Sequence, residues 1–168
     1  MKVARVENEW QKAAAYYVRT KTMVEGEGVS YKTEFDDDNI KNPNYYLIYD
    51  GDRPVGTCRV NRLDNKTAKI ERVIILTEYQ NKGFGSELIL KTENFLKKDG
   101  ITTVIIDSRD KALHFYKRLG YRVIEDRERV AEYNNLIENS HKTIKENRQP
   151  PIFECILTEK TISGQEVI

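Results

Sequence analysis

Apolar residues in the first half of the chain follow a helical spacing and then a strand spacing. Residues 7–22 have the periodicity of one helix or two short ones, because apolar side chains recur every three or four positions. These side chains are Trp10, Ala13, Ala14, Tyr17 and Val18. A polar, acidic stretch at 25–44 predicts a loop. Three strands joined by tight turns should follow, at 45–49, 54–60 and 68–76.

The second half of the chain predicts alternating helices and strands. A glycine-containing turn at 80–86 should lead into a helix that ends near residue 98, and strand 102–107 follows it. Because a helical crossover connects them, strands 68–76 and 102–107 should be parallel. The remaining predicted elements are a helix at 111–119, a strand at 121–124, a helix at 129–147 ended by Pro150-Pro151, a last strand at 152–157 and a loose tail at 159–168.

Composition and charge narrow the class of protein. The chain has 168 residues, which indicates one domain over 1–168, and its 28 basic and 27 acidic side chains leave a net charge of +1. That balance gives no reason to expect a nucleic-acid partner. No apolar run approaches the roughly 20 residues of a membrane span, and the N-terminus lacks a secretory signal's apolar core, so we expect a cytoplasmic protein. The chain has two cysteines, Cys58 and Cys155, which we expect to be free thiols. Its two histidines are isolated, so we expect no metal site.

The turn at 80–86 has the composition of an anion-binding site. It follows the apolar run 73–76 and precedes a helix, so N–H groups without a helical partner stand where the helix dipole favours an anion. A phosphate or pyrophosphate is the expected ligand. A side chain at Gly83 or Gly85 would hold that anion away from the backbone. The alternative is a plain turn without a ligand.

Two sequence blocks stand in an order that is typical of a known family. The first runs over residues 70–85 and includes Gln80-Asn81-Lys82-Gly83-Phe84-Gly85, and the second is Ala112-Leu113-His114-Phe115-Tyr116-Lys117-Arg118-Leu119-Gly120-Tyr121. Together they resemble the motifs of the GCN5-related N-acetyltransferase (GNAT) superfamily, in a bacterial single-domain subgroup, over most of residues 16–125. The resemblance implies an α/β (α+β) fold with a central, mixed, mostly antiparallel sheet, in which two parallel strands splay apart between flanking helices.

The resemblance also implies that acetyl-CoA is the co-substrate. In the family, backbone of the first splayed strand bonds the pantetheine arm, and the glycine turn holds the pyrophosphate. Arg109 stands where many members carry asparagine, and it either reaches a phosphate of CoA or faces solvent. Lys82 either adds a charge near a phosphate or is a solvated lysine. The positions carried over are Val73, Ile74 and Ile75 for the arm, and Gln80, Asn81, Lys82, Gly83, Phe84, Gly85 and Ser86 for the pyrophosphate.

Acetyl transfer to an amine needs a base for the amine and a proton for the departing thiolate. By its place in the second block, Tyr116 matches the family's general acid; the alternative is a core tyrosine. Glu71, on the first splayed strand, is the candidate base, and its alternative is a surface ion pair with Arg59 or Arg72. Asp107, at the end of the second splayed strand, is the next candidate for the base.

The sequence says less about the acceptor side. The subgroup's histidine before the last strand is missing, because Pro150-Pro151-Ile152-Phe153 stands there. The helix at 129–147 resembles an insertion, which forms either a lid or wall of the acceptor pocket, or a homodimer contact or surface decoration. The carboxylates of the 25–38 region either attract a cationic amine or are solvated.

These observations together predict an acyltransferase. It should move an acetyl group from acetyl-CoA to a primary amine of a small molecule, peptide or protein, by direct attack in a ternary complex. The alternatives are a catalytically silent acyl-CoA-binding sensor or interaction module, and a transferase for longer acyl chains. We expect no metal, nucleic-acid or membrane partner.

Overall fold

Seven strands form one mixed sheet in the computed structural model, which describes residues 1–143 and 154–163. The strands are β1 (Lys2–Arg5), β2 (Asn44–Asp50), β3 (Arg53–Arg62), β4 (Thr67–Ile75), β5 (Thr103–Arg109), β6 (Arg122–Val123) and β7 (Cys155–Thr161). Their order is β1-β2-β3-β4-β5-β7-β6, and only the β4–β5 pair is parallel among these seven. The predicted mixed, mostly antiparallel sheet and its parallel pair are therefore confirmed.

Helices cover both faces of the sheet. They are α1 (Glu9–Arg19), which continues into a π-helical segment (Thr20–Gly26), α2 (Tyr31–Glu34), α3 (Phe84–Lys98), α4 (Asp110–Arg118) and α5 (Arg127–Asn139), with 3₁₀ turns at Asp37–Asn39 and Thr77–Tyr79. Because successive strand residues point to opposite faces, Leu47 of β2 packs in one core cluster with Ala15 of α1, while Ile48 joins Leu88 of α3 in another. Over the described ranges, no helix has the length and apolar character needed to cross a bilayer.

The predicted loop at 25–44 contains short helical turns. The π-helical segment ends within it at Gly26, and α2 follows. Ser30 caps α2, because its Oγ accepts a hydrogen bond from the Thr33 backbone N–H at 3.2 Å. These turns bring acidic side chains onto the face of the sheet that α1 covers, and Glu34 is only 2% exposed.

Tertiary contacts move the ends of other predicted elements. The sequence pattern does not predict β1, whose four residues are fixed by pairing with β2. The predicted helix 129–147 spans Arg127–Asn139 instead, because the Ser140 carbonyl accepts a hydrogen bond from the Lys41 N–H at 3.0 Å and the chain turns away there. The predicted helical residues 144–147 lie outside the described residues.

The last strand is longer than predicted at its C-terminal end. Strand β7 pairs with β5 along its whole length and with β6 on its other side. Residues 159–161, predicted as part of a loose tail, therefore belong to the sheet, because two neighbouring strands supply hydrogen-bond partners. That expectation was wrong for these residues. The predicted strand positions 152–153 and the break at Pro150-Pro151 lie outside the described residues.

The parallel strands β4 and β5 part after three paired positions. Beyond them, β4 stays paired with β3 as far as Ile75, and β5 stays paired with β7 as far as Arg109. The gap therefore opens between two well-formed strands, and backbone groups on their facing edges have no strand partner. The paired positions are Thr67–Thr103, Ala68–Val104 and Lys69–Ile105.

Gly56 of β3 lets the end of β4 approach closely. A Cβ atom at this position would lie 2.8 Å from Ile48 Cγ2 and 3.1 Å from the Ile74 carbonyl oxygen, and it would also press on Ile75 Cδ1. We predict that Gly56→Ala lowers the free energy of unfolding by about 1–3 kcal/mol, because the strands must shift apart. Urea denaturation measures this change.

Gly26→Ala is the matched control for that substitution. The nearest atom to its added Cβ is the Lys21 carbonyl oxygen at 3.4 Å, which is ordinary van der Waals contact. Its stability should stay within about 0.5 kcal/mol of wild type. Equal losses in the two variants would contradict the packing role of Gly56.

Candidate functional site

The glycine turn leads into α3 with its backbone N–H groups uncapped by any side chain. Gly83 is the N-cap residue, with φ of 88°, and no side-chain hydrogen bond caps the helix. Asn81 also adopts a left-handed conformation, with φ of 59°. The first N–H groups of a helix have no acceptor within it, so Phe84, Gly85 and Ser86 offer three donors at the positive end of the helix dipole. This arrangement fits an anion.

Helix packing also favours glycine at position 85, in addition to the predicted approach of an anion to the backbone. A Cβ atom there would lie 3.3 Å from Cζ of Phe115, so the missing side chain lets α4 pack against the start of α3. Gln80 and Lys82 turn their side chains back toward the preceding residues. Gln80 Nε2 donates to the Ile75 carbonyl at 2.9 Å, and Lys82 Nζ donates to a backbone carbonyl at 2.7 Å. Their role in binding a phosphate remains a prediction.

Tyr116 lies on α4 with a protonated hydroxyl free to donate. The residue is 8% exposed, and its ring contacts that of Tyr121 edge-on, with centroids 5.9 Å apart. Tyr121 is held in turn, because its hydroxyl donates to Glu93 Oε1 at 2.8 Å. Within the described residues, the Tyr116 hydroxyl makes no hydrogen bond. Burial raises the pKa of Tyr116 above its ordinary value, so the phenol stays protonated at neutral pH.

Glu71 belongs to a cluster of ion pairs on the face of the sheet that α1 covers. Arg59 is its centre: Nε donates to Glu71 Oε1 at 3.1 Å, and Nη1 donates to carboxylates of Asp36 and Asp37 at 2.7 and 3.0 Å. Arg59 is 1% exposed, so these bonds are shielded from water. The charged cluster comprises Arg19, Glu34, Asp36, Asp37, Arg59, Lys69, Glu71, Arg72 and Asp107.

Lys69 stands at the last paired position of β4 and β5 and joins the two carboxylates proposed as bases. Its Nζ lies 2.9 Å from Asp107 Oδ2 and 3.4 Å from Glu71 Oε2. Beyond it, β4 contains a bulge, since Thr57 pairs with Ile74 but the next pair joins Arg59 and Glu71. Bulges re-aim side chains and are common beside active sites.

The environment of Glu71 keeps it ionised. Burial would raise its pKa, but Arg59 and Lys69 outweigh burial and lower the pKa to about 2. A base with so low a pKa accepts a proton weakly, because efficient general bases titrate near the working pH. The ion pair with Arg59, which the sequence offered as the alternative, is present. The catalytic role of Glu71 remains a prediction.

Most carboxylates of the predicted acidic loop are engaged within the protein. Glu34 and Asp37 both pair with the buried Arg19, at 3.0 and 2.8 Å. Glu27 pairs with Arg109 at 3.3 Å, so the predicted phosphate-binding arginine has a carboxylate partner here. Asp38 is exposed and stands apart from these pairs.

Arg19 and Lys69 are the charged-cluster residues that sequence reasoning missed. Arg19 follows Ala15 by four positions and so lies on the buried face of α1, a signal that the helical spacing contained. Lys69 alternates with Glu71 on one face of β4, but no pattern identifies its partner on β5. Cys58 offers no reactive thiol, because burial raises its pKa to about 12.

Hydrogen bonds join the segment after α5 to the turn that precedes β2 and to β3. The Lys142 N–H donates to the Asn39 carbonyl at 2.7 Å, and Asn61 Nδ2 donates to Ser140 Oγ at 2.7 Å. Because Asn39 closes the turn that carries Asp37, these bonds fix the border of the charged cluster. No group of three or more His, Cys, Asp or Glu side chains in residues 1–143 and 154–163 is arranged to hold a metal ion.

Comparison with known proteins identifies the class of enzyme, an acyltransferase. The model of the acetyltransferase (GNAT) family matches residues 9–121, which is more than half of the chain. The chain therefore belongs to the GNAT family of acetyltransferases.

Individual relatives support the same assignment. The chain is 31% identical over 129 residues to the uncharacterized N-acetyltransferase YjcF of Bacillus subtilis, covering 76% of this chain and 90% of YjcF. A Lactobacillus plantarum protein assigned as an N-acetyltransferase has the same fold, with a TM-score of 0.76 at 23% identity over 96% of this chain and 97% of that one. An aminoglycoside 6'-N-acetyltransferase solved in complex with coenzyme A gives a TM-score of 0.67 at 12% identity, over 98% and 99% of the two chains.

The lowered pKa of Glu71 predicts how the stability of the protein depends on pH. Because its folded pKa of about 2 lies below its ordinary 4.5, ionised Glu71 stabilises the fold at higher pH and loses that effect as the pH falls. The difference in unfolding free energy between wild type and Glu71→Gln should be constant above about pH 5 and shrink by on the order of 3 kcal/mol toward about pH 2. Urea denaturation at a series of pH values measures it.

Glu132→Gln is the control for this pH series. Glu132 is exposed on α5 and makes no ion pair with any described residue. Its pH-dependent difference from wild type should be much smaller. If both variants give the same profile, the charged cluster is not the cause of the effect.

Proposed function

We propose that this protein transfers an acetyl group from acetyl-CoA to a primary amine, by direct attack within a ternary complex. The parting of β4 and β5 is the observation that carries the proposal. We infer that this opening lies between Tyr116, which packs in the core cluster that contains α3, and Glu71, which belongs to the charged cluster on the face that α1 covers. An acyl donor and an amine can therefore approach the same point from opposite sides.

The residues at this opening fit the chemistry of coenzyme A. A pyrophosphate needs N–H donors and a positive potential, and the first turn of α3 offers both at Phe84, Gly85 and Ser86, with Asn81 and Lys82 in the preceding turn. A pantetheine arm needs donors and acceptors along an extended chain. The edge of β4 over 73–75, which β5 does not pair, fits that need. The coenzyme A complex of the aminoglycoside 6'-N-acetyltransferase, which has this fold, supports the assignment.

The reaction forms a C–N bond and breaks a C–S bond. The neutral amine attacks the thioester carbonyl carbon, and the C–S electron pair leaves on sulfur. We propose that Tyr116 donates its hydroxyl proton to that sulfur and regains a proton from solvent. The amine loses one proton, and the products are an N-acetyl amine and the free thiol of CoA. Holding both reactants at one point supplies much of the rate increase.

We propose that the proton of the amine leaves toward the carboxylates of Glu71 and Asp107. Because the pKa of Glu71 is about 2, it acts through a water molecule that it orients, rather than as a strong base itself. Asp107 is the second candidate for this role. Its carboxylate shares Lys69 with Glu71, at 2.9 Å from Nζ.

We treat residues 1–168 as one N-acetyltransferase domain that works in the cytoplasm. We assign α5 and the residues up to 143 as a wall of the acceptor side, because hydrogen bonds join Ser140 and Lys142 to the border of the charged cluster. Arg109 and Gln80 belong to the proposed cofactor site by position.

We predict that Tyr116→Phe lowers kcat by about 10²-fold or more, because the leaving thiolate loses its proton donor. The KM for acetyl-CoA should change little, since the phenyl ring keeps its contacts with Tyr121. Steady-state release of CoA thiol, measured with a saturating amine, gives both constants. Tyr17→Phe removes an exposed hydroxyl on α1 and is the control. An unchanged kcat in Tyr116→Phe removes this residue from the mechanism.

Two measurements test the proposal as a whole. The first is a calorimetric titration with acetyl-CoA, and the second is the release of CoA thiol across a panel of amines. Tight binding with amine-dependent thiol release supports it. Tight binding without release from any amine favours an acyl-CoA sensor. Release that is faster with a longer acyl-CoA favours the transferase for longer chains.

A further inference from the structure

A pocket lined by aromatic rings and carboxylates opens between α1 and α2. Its volume is about 400 Å³. We call it the aromatic pocket; its lining residues are Tyr16, Thr20, Tyr31, Phe35, Asp37 and Asp38. Tyr31 is 59% exposed, although its ring lies nearly parallel to that of Phe35, with an angle of 20° and centroids 6.2 Å apart. Tyr31 therefore leaves much of its surface open to solvent.

Cations of the protein itself already lie against the inner rings of this pocket. Arg19 Cζ is 4.5 Å from the centroid of Phe35 and 5.4 Å from that of Tyr16. Lys12 Nζ is 5.7 Å from the centroid of Tyr16. The faces of aromatic rings attract cations through their negative quadrupole. The rings thus favour positive charge, and the ring of Tyr31 has no such partner among the described residues.

The two carboxylates of the aromatic pocket differ in what they bind. Asp37 accepts hydrogen bonds from Arg19, Arg59 and Tyr45, so its carboxylate is already engaged within the protein. Asp38 is exposed, and in residues 1–143 and 154–163 nothing forms a hydrogen bond or ion pair with it. An unpaired negative charge therefore lines the same pocket as an aromatic ring that is open to solvent. Rings with an adjacent carboxylate are the chemistry that recognises an organic ammonium group.

Hydrogen bonds through the buried Arg59 connect Asp37 of the aromatic pocket to Glu71 of the proposed acetyl-transfer site. Asp37 Oδ2 accepts from Arg59 Nη1 at 3.0 Å, and Arg59 Nε donates to Glu71 at 3.1 Å. A single guanidinium group thus links the inner end of the pocket to the carboxylate beside the opening of the sheet. We propose that the aromatic pocket binds a cationic group at the far end of an elongated amine acceptor. This inference rests on the proposed function, and it names the acceptor as an amine with a second positive charge.

Binding of choline to the protein without acetyl-CoA tests the pocket independently of catalysis. NMR titration should show choline binding at the aromatic pocket, and 3,3-dimethylbutan-1-ol, its uncharged isostere, should bind far more weakly. Asp38→Asn should raise the Kd of choline about fivefold, and Tyr31→Leu about threefold. Both residues are exposed, so neither change should affect folding. Equal binding of choline and its isostere, or no binding, overturns the proposal.

Two substitutions match these variants in chemistry but lie outside the pocket. Asp52→Asn removes an exposed carboxylate from the β2–β3 turn, and Tyr17→Leu removes an exposed ring from α1. Neither should change the Kd of choline. A loss as large as that of Asp38→Asn in Asp52→Asn would assign the effect to net charge and overturn the proposal.

Acetylation of a series of α,ω-diamines tests the link to the acceptor. The series runs from 1,3-diaminopropane to 1,8-diaminooctane, and each diamine is compared with the monoamine of the same chain length. At the optimal length, the ratio of kcat/KM for diamine to monoamine should be about tenfold in wild type and fall severalfold in Asp38→Asn. An equal ratio in both proteins overturns the pocket's role while leaving the proposed acetyl transfer intact. Choline binding that depends on Asp38, without acetylation of any amine, supports the pocket as a cation site and rejects the proposed function.

Discussion

The structure depends on the separation of two parallel strands that begin as neighbours. After Lys69 and Ile105, β4 and β5 diverge, and each keeps its other neighbour in the sheet. A sheet normally satisfies every interior backbone group, so an opening in its middle leaves hydrogen-bonding groups for a ligand. The glycine turn and α3 follow directly from the end of β4, and α4 follows from the end of β5. The first turn of α3 and helix α4, which carries the buried Tyr116, therefore both follow the ends of the two diverging strands.

The charged cluster stabilises one side of this opening. Arg59 of β3 and Arg19 of α1 are each 1% exposed, and both hold Asp37. Buried ion pairs contribute little net stability, but removal of one partner leaves an uncompensated charge, which is costly. The cluster thus fixes the acidic turn against the sheet rather than leaving it to attract solvent cations. Asp38, the next residue, is exposed and forms no ion pair with any residue in the described ranges.

The sequence predicted the elements whose signals are local. Alternating apolar residues predicted β2 to β4, and the glycine turn with its following helix predicted α3, because such patterns depend on neighbours in the chain. Two motifs in one chain indicated the family and hence the parted strands. Elements decided by distant contacts were missed or misplaced. Strand β1 exists through its pairing with β2, and α5 ends where Ser140 meets Lys41.

The candidate site shows the same division. The positions of Tyr116 and of residues 83–86 follow from motifs, so the sequence could name them. The ion pair of Arg59 with Glu71 was foreseen only as an alternative, and the contact of Lys69 with Asp107 joins residues far apart in the chain. The resulting pKa of Glu71 depends on all of these charges together, so no local pattern could have predicted it.

The central claim is that the opening between β4 and β5, with the first turn of α3, binds coenzyme A through backbone groups. Backbone amide chemical shifts, followed by NMR during a titration with acetyl-CoA, test it most directly. The largest shifts should fall on the amides of residues 73–75 and 81–86. Saturable binding whose largest shifts lie elsewhere, with these two segments unchanged, would contradict it.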